Sequence, residues 1–363
     1  MPATQQHPIA TPNNYPLVLV TGGTGWLGRR LVQALTLGGI DTGLPGGFSG
    51  HPVRCLVPDD APAAALDDFG VEVVRGDLAD GAALDRFFDG AQGALLLHLA
   101  GVIHPPATDT GVWRRVNLDG TRNLGGRARL HGVKRFCVMS SNSPMGTNPD
   151  ARTLFTEDSP YRPYMGYGKS KHAMELYLRG ELMGTGGPEV TILRAPWFYG
   201  PGQPPRQTRF FHMIRDGKFP IFSGGTNLRS MGYVDNLAQG TMLAAFLPEG
   251  ADEVFWIADE DPYPMHLVVE TVADLLKNEF GCGEVPHWRG YPGLIPDVAR
   301  LVDATMQAVG LYHQSIHVLS EMNVHIACSV DKAKRVLGYR PRVALREGMR
   351  RSIRWCLDNG ISI

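Results

Sequence analysis

The chain has 363 residues, 43% of them apolar and 20% charged, a balance that excludes a wholly disordered protein. Its 35 basic and 36 acidic residues leave a formal net charge of −1, so no electrostatic footprint points to nucleic acid or an anionic membrane. Five cysteines (Cys55, Cys137, Cys282, Cys328 and Cys356), odd in number and without CxxC spacing, argue against a disulfide scaffold or a thiolate zinc site.

Residues 1–14 are polar and lack an apolar signal core. No stretch reaches the roughly eighteen apolar residues that a membrane span needs, so a cytoplasmic globular protein is expected. Short apolar runs at 17–21, 53–57, 71–74, 94–99, 136–139 and 190–193 predict six strands. Helical patterns fall around 27–35, 80–88, 110–131 and 166–183, and residues 41–52 are a Gly- and Pro-rich loop. Continuously apolar strands alternating with helices predict an α/β fold, a doubly wound parallel sheet covered on both faces.

After about residue 194 the pattern changes. An aromatic loop spans 196–205, and helices are predicted at 207–216, 235–247, 265–277, 297–321, 330–337 and 345–357, with a strand at 253–257. The expected division is a dinucleotide-binding domain over 15–195, with later segments returning to it. A smaller, mostly helical substrate-binding domain follows over 196–358.

The first strand–helix turn reads Thr21-Gly22-Gly23-Thr24-Gly25-Trp26-Leu27-Gly28. Gly22, Gly25 and Gly28 suit a tight turn, close approach of a pyrophosphate to backbone N–H groups, and close helix packing. Asp77, in Gly76-Asp77-Leu78 at the third strand's end, has a carboxylate able to accept from an adenine amino group. His98-Leu99-Ala100-Gly101 closes the fourth strand with small residues that let a cofactor approach. Both lie at carboxyl ends of strands, where ligands of open α/β sheets bind.

Tyr167 and Lys171 are four apart and share a helix face. A phenol is a poor base at neutral pH, and a neighbouring ammonium favours its phenolate. Ser140 and Ser141 lie just past the fifth strand, within reach of a substrate oxygen. His313, His317 and Glu321, spaced i, i+4 and i+8, share one face if 297–321 is a single helix. A polar interface or pocket wall is the expected role there, with no metal.

Taken together, TGGTGWLG at 21–28, GDL at 76–78, HLAG at 98–101, Asn117 in NLDGTRN, MSSNSPMG at 139–146, YGKSK at 167–171, RAPWFYGPG at 194–202 and RSMGYVDN at 229–236 carry a resemblance. The chain resembles the extended short-chain dehydrogenase/reductase family, which includes NAD-dependent epimerases and dehydratases and 3β-hydroxysteroid dehydrogenase-like enzymes. The resemblance implies Tyr167 as acid/base, Lys171 as its pKa-lowering, ribose-binding partner, and Ser141 as the hydroxyl that orients the substrate oxygen. Ser140 and Ser143 are rivals for that last role. Asn117 is expected to fix backbone near the site.

The resemblance places the nucleotide on Gly22, Gly25, Trp26, Leu27, Gly28, Asp77, Leu78, Leu99, Ala100, Gly101 and Pro196, with Tyr167 and Lys171 at its nicotinamide end. Asp59 or Asp60, after the second strand, favours NAD. NADP remains possible through Arg29 or Arg54. Ser141, Ser143, Tyr199, Phe210 and Arg229 are the expected substrate contacts. Arg229 stands where nucleotide-sugar members carry a diphosphate-binding arginine. The expected activity is oxidoreduction of a secondary alcohol or ketone, with a nucleotide-sugar epimerase as the alternative. Ser141-Asn142-Ser143 lacks the acidic pair that sugar dehydration needs. A small-molecule substrate and a homodimer are expected.

Overall fold

The computed structural model describes residues 11–44, 47–282 and 284–363. The six apolar runs form β1 (Val18–Thr21), β2 (Val53–Val57), β3 (Glu72–Arg75), β4 (Leu95–His98), β5 (Arg135–Met139) and β6 (Glu189–Arg194). They pair in parallel in the order β3-β2-β1-β4-β5-β6, and a seventh parallel strand, Glu253–Trp256, lies beside β6. Val18 aligns with Val53 on one side and with Leu95 on the other, so the three central strands are in step.

The α-helices are α1 (Trp26–Thr36), α2 (Gly81–Phe87), α3 (Thr121–Leu130), α4 (Met165–Tyr177), α5 (Pro205–Arg215), α6 (Val234–Phe246), α7 (Met265–Asp274), α8 (Leu294–Ala308), α9 (Gln314–Ser320), α10 (Asp331–Leu337) and α11 (Leu345–Asp358). Side chains alternate across the sheet, as the two-residue strand period requires. Val18, Val20, Cys55, Leu95 and Leu97 pack with α1, α6 and α10; Leu19, Leu56, Leu96, Phe136 and Val138 pack with α2, α3 and α4. A third apolar cluster joins α5, α7 and α11 in the mostly helical C-terminal part.

Each of the 13 residues of α6 is buried. The helix has no solvent face, and its polar side chains are paired inside the protein, Asp235 with Arg30 at 2.8 Å and Asn236 with Asp259 at 2.8 Å. The Arg135 guanidinium, on β5, donates to the carbonyls of Ala244, Ala245 and Leu247 at the C-terminal end of α6, while Glu189 Oε2 holds it at 2.7 Å. A cation there satisfies carbonyls that the helix itself cannot.

One predicted element is corrected. The apolar pattern over 297–321 predicts a single helix, but α8 ends at Ala308 and α9 begins at Gln314. Gly310 takes φ +79°, and the Leu311 N–H closes back on the Met306 carbonyl at 2.9 Å, a Schellman-type stop. His313 therefore precedes α9 and Glu321 follows it. The three residues thus span the short α9 rather than lying along one long helix, and among the described residues no group of three or more His, Cys, Asp or Glu could hold a metal ion. Among the described residues no helix is long and apolar enough to cross a membrane.

Candidate active site

β1 runs straight into the glycine turn. Gly22 has φ +75°, and a Cβ there would lie 2.6 Å from the Ala100 nitrogen. A Cβ on Gly28 would lie 2.0 Å from the Gly22 carbonyl oxygen. Only glycine lets β1, the start of α1 and the strand end after β4 come this close, which leaves backbone N–H groups at the N-terminus of α1 facing outward. That cradle fits a dinucleotide pyrophosphate. Trp26 donates its indole N–H to the Pro201 carbonyl at 2.7 Å, tying the 200–204 loop to the turn. Leu27 faces the core.

The neighbouring strand ends are cross-braced. His98 sits between the hydroxyls of Thr21 (2.7 Å) and Thr121 (2.9 Å), and burial pushes its pKa down to about 3, so it stays neutral. Leu99 N–H bonds the Thr21 carbonyl at 3.0 Å, which carries Ala100 and Gly101 over the turn. Asp77 is exposed and accepts from Ala79 N–H at 3.0 Å, while Leu78 is buried and its carbonyl takes Asn123 Nδ2 at 2.9 Å. Asp59 is exposed in the turn after β2, which Arg75 braces through the Pro58 and Ala61 carbonyls. Pro196 is buried just past β6.

Asn117 lies in a π-helical turn, Arg114–Gly120, a geometry frequent at functional sites. It is fully buried and clamps Val102 from both sides, accepting its N–H at 2.9 Å and donating to its carbonyl at 3.0 Å. A further bond to the Ser170 hydroxyl (3.0 Å) ties this strand-end loop to α4, and Ser170 in turn donates to the Tyr167 carbonyl at 2.8 Å.

α4 presses against the turn after β5. A Cβ on Gly168 would lie 2.7 Å from the Ser143 carbonyl oxygen, so glycine permits the approach that brings Tyr167 to Ser141. The Ser141 hydroxyl donates toward the Tyr167 phenol and also lies 3.3 Å from Ser143 Oγ. Ser140 faces the other way and donates to Glu175 Oε1 at 2.5 Å. Burial pushes the Tyr167 phenol up to about 12, opposed by the Ser141 bond and the charge of Arg206.

Lys171 lies one helical turn on from Tyr167 and is buried. Its ammonium donates to the Met139 carbonyl at 2.9 Å, beside the Gly101 backbone, and Arg206 is the cation that favours the Tyr167 phenolate. Burial pushes the Lys171 pKa down to about 8, and Glu175 opposes that shift.

The expected substrate contacts divide. Ser141 and Ser143 line the site beside Tyr167. Tyr199 does not: it is buried, and its phenol donates to Asp259 at 2.6 Å in a cluster that also holds Tyr263 and Asn236. Phe210 is core, packed edge-on against Trp197 and Phe219. Arg229 donates to the Glu321 carbonyl and lies near the Glu321 carboxylate and Tyr164. His317 pairs with the buried Asp303 at 2.7 Å.

Several residues were missed by sequence reasoning. Glu175 and Arg194 form a fully buried ion pair at 2.7 Å, completed by the Tyr161 hydroxyl, that seats α4 on the sheet. Gln307, held by Asp303 at 2.9 Å, accepts the Gly166 N–H at 2.7 Å and so caps the N-terminus of α4. Met165, between Tyr164 and Gly166, has φ +61°, a strained value for a residue with a side chain. Contacts of this kind span up to 141 residues of chain and leave no local pattern.

The glycine cradle and the parallel sheet are those of a nucleotide-binding fold, and the comparisons name the family. The chain belongs to the NAD dependent epimerase/dehydratase family, whose model matches residues 18–258. It is 50% identical over 349 residues to the uncharacterized protein y4nL of Sinorhizobium fredii (strain NBRC 101917 / NGR234), covering 96% of this chain and 97% of that one. It is 27% identical over 339 residues, 91% of this chain and 93% of the other, to the 4-hydroxy-2-methyl-3-oxo-4-farnesyl-3,4-dihydroquinoline-1-oxide ketoreductase of Stigmatella aurantiaca. The crystal structure of gox2253 superposes with a TM-score of 0.76 at 22% identity, over 96% of this chain and all of that one, which shows the shared fold.

Proposed function

We propose that the protein is an NAD-dependent oxidoreductase that interconverts a secondary alcohol and its ketone. The observation that carries this reading is the convergence of Ser141, Tyr167 and Lys171 beside Gly101, at the strand ends next to the glycine cradle. A bound nicotinamide supplies the acceptor or donor of the hydride. Ser141 orients the substrate oxygen, and Tyr167 takes the hydroxyl proton during oxidation or returns it during reduction. Lys171, anchored on the Met139 carbonyl, faces the space of the nicotinamide ribose. Asn117 holds the Val102 backbone and, through Ser170, the turn that carries Tyr167.

Engagement of Arg229 by Glu321 favours this reading over a nucleotide-sugar epimerase, because a diphosphate would have to displace a protein partner. The ketoreductase relative from Stigmatella aurantiaca supports the same side. A panel of UDP- and dTDP-sugars titrated against wild type and Arg229→Ala separates the two. Net NADH formation with secondary alcohols and no sugar-nucleotide binding is expected. Micromolar sugar-nucleotide binding that disappears in Arg229→Ala would install the epimerase.

For the cofactor, NAD is favoured over NADP. Arg54 points away from the ribose end and is held by Glu72 at 2.7 Å and by the Phe87 and Asp89 carbonyls. Arg29 lies over the Phe69 ring, 6.0 Å from its centroid, and Asp59 repels a 2′-phosphate. Titration of each cofactor into the apo protein is expected to show tighter NAD binding. Tenfold tighter binding of NADP would overturn the assignment.

A further inference from the structure

Three segments distant in sequence meet beside Tyr167. His104 lies on the loop after β4, and Tyr312 lies between α8 and α9. The Tyr312 hydroxyl meets His104 Nδ1 at 2.5 Å, its backbone N–H donates to the Ala107 carbonyl at 2.9 Å, and its ring packs edge-on against Trp113. Arg206 follows in the first turn of α5, just past the loop that Trp26 holds through Pro201. Its guanidinium lies within electrostatic reach of Tyr167, Tyr312 and His104 together.

The chemistry of this cluster is one-sided. Arg206 is exposed and makes no hydrogen bond or ion pair among the described residues. The charges of Asp303 and Glu321 reach Tyr312, whereas the groups acting on Arg206 are the phenols of Tyr167 and Tyr312. Burial and the Arg206 charge hold His104 down at about 4, so its ring is neutral. The Tyr312 hydroxyl and His104 Nδ1 share a single hydrogen bond, which leaves the ring's Nε2 without a hydrogen-bond partner among the described residues. By contrast, Arg194 is paired with Glu175, and Arg229 lies against Glu321.

We propose that Arg206 and His104, with Tyr312 fixing the imidazole, form a subsite for a carboxylate of the substrate, held a few bonds from the carbinol carbon that Tyr167 serves. The proposal rests on the oxidoreductase reading and names its substrate class: secondary hydroxy acids and the corresponding oxo acids. A guanidinium fork matches a planar carboxylate in bidentate fashion, and a neutral ligand would dehydrate that fork without replacing its hydrogen bonds.

The test uses 3-hydroxybutyrate, 4-hydroxypentanoate and 5-hydroxyhexanoate, each beside its methyl ester. Binding to the NADH-loaded full chain is read by titration, and turnover with NAD by absorbance. At least one acid is expected to bind about tenfold or more tightly than its ester. Arg206→Gln is expected to bring that ratio close to one, and Arg206→Lys, which keeps the charge but loses the fork, to fall between. NADH affinity of each variant reports that the fold is intact. Acid and ester binding alike, neither binding, or an acid preference that survives in Arg206→Gln would overturn the subsite. An acid preference lost in Arg206→Gln but accompanied by no turnover of any secondary alcohol keeps the subsite and removes the oxidoreductase reading. Equal turnover of acid and ester does the reverse.

Discussion

Replacing Tyr167 by phenylalanine is expected to lower turnover about a hundredfold or more while cofactor affinity stays within a fewfold of wild type. The phenol oxygen is the titratable atom that Ser141 addresses, and phenylalanine removes it while leaving the ring. The glycine cradle and the Lys171–Met139 bond do not involve that oxygen, so the nucleotide site survives. Single-turnover measurements with saturating cofactor isolate the chemical step. Near-normal turnover in the variant would remove Tyr167 from the acid/base role. The pH dependence has a definite sign. A phenol raised to about 12 is protonated at neutral pH, so the free protein already holds the form that donates during reduction. Oxidation needs the phenolate and should accelerate as pH rises.

Glu175→Ala carries the largest expected stability loss, about 3–5 kcal/mol in equilibrium denaturation. Both partners of the Glu175–Arg194 pair are fully buried, and the guanidinium is also sandwiched near the Tyr161 and Trp256 rings. Removing the carboxylate leaves a cation with no route to water and frees the Ser140 and Tyr161 hydroxyls of their acceptor. The double replacement Glu175→Leu with Arg194→Met removes both charges, and a much smaller loss is expected from it. A loss below about 1 kcal/mol in Glu175→Ala alone would show that Arg194 finds other partners.

The sheet and the nucleotide cradle were legible because their determinants are local. Apolar runs of four to six residues bounded by Gly, Pro and Asp announce buried parallel strands, and Gly22, Gly25 and Gly28 sit within one turn of chain. Tyr167 and Lys171 are legible for the same reason, being one helical turn apart. What stays hidden is set by tertiary approach. The side chain of Tyr199 reads as a loop aromatic near substrate, yet Asp259, 60 residues on, captures its hydroxyl. The Tyr167–Lys171 pairing is legible from spacing, but the charge of Arg206, which also acts on the phenol, comes from another element and leaves no local pattern. The break at Gly310 was visible as a glycine, but the apolar period runs through it and masks the stop.

The dependence of the sheet on α6 bears on how the chain is made. β6 ends at Arg194, and its outer neighbour ends at Trp256, about sixty residues later. Until that length has been synthesised, β6 is a bare edge, one face of the sheet is covered by α1 but not by α6, and the Arg135 guanidinium lacks the carbonyls of residues 244, 245 and 247. At ~5–20 residues per second this interval lasts ~3–12 s on the ribosome. An apolar sheet face and an unpaired strand edge exposed for that long are what cellular chaperones bind and what aggregation exploits. Nascent-chain yield, rather than the stability of the finished protein, is where the interleaving of the two halves has its cost.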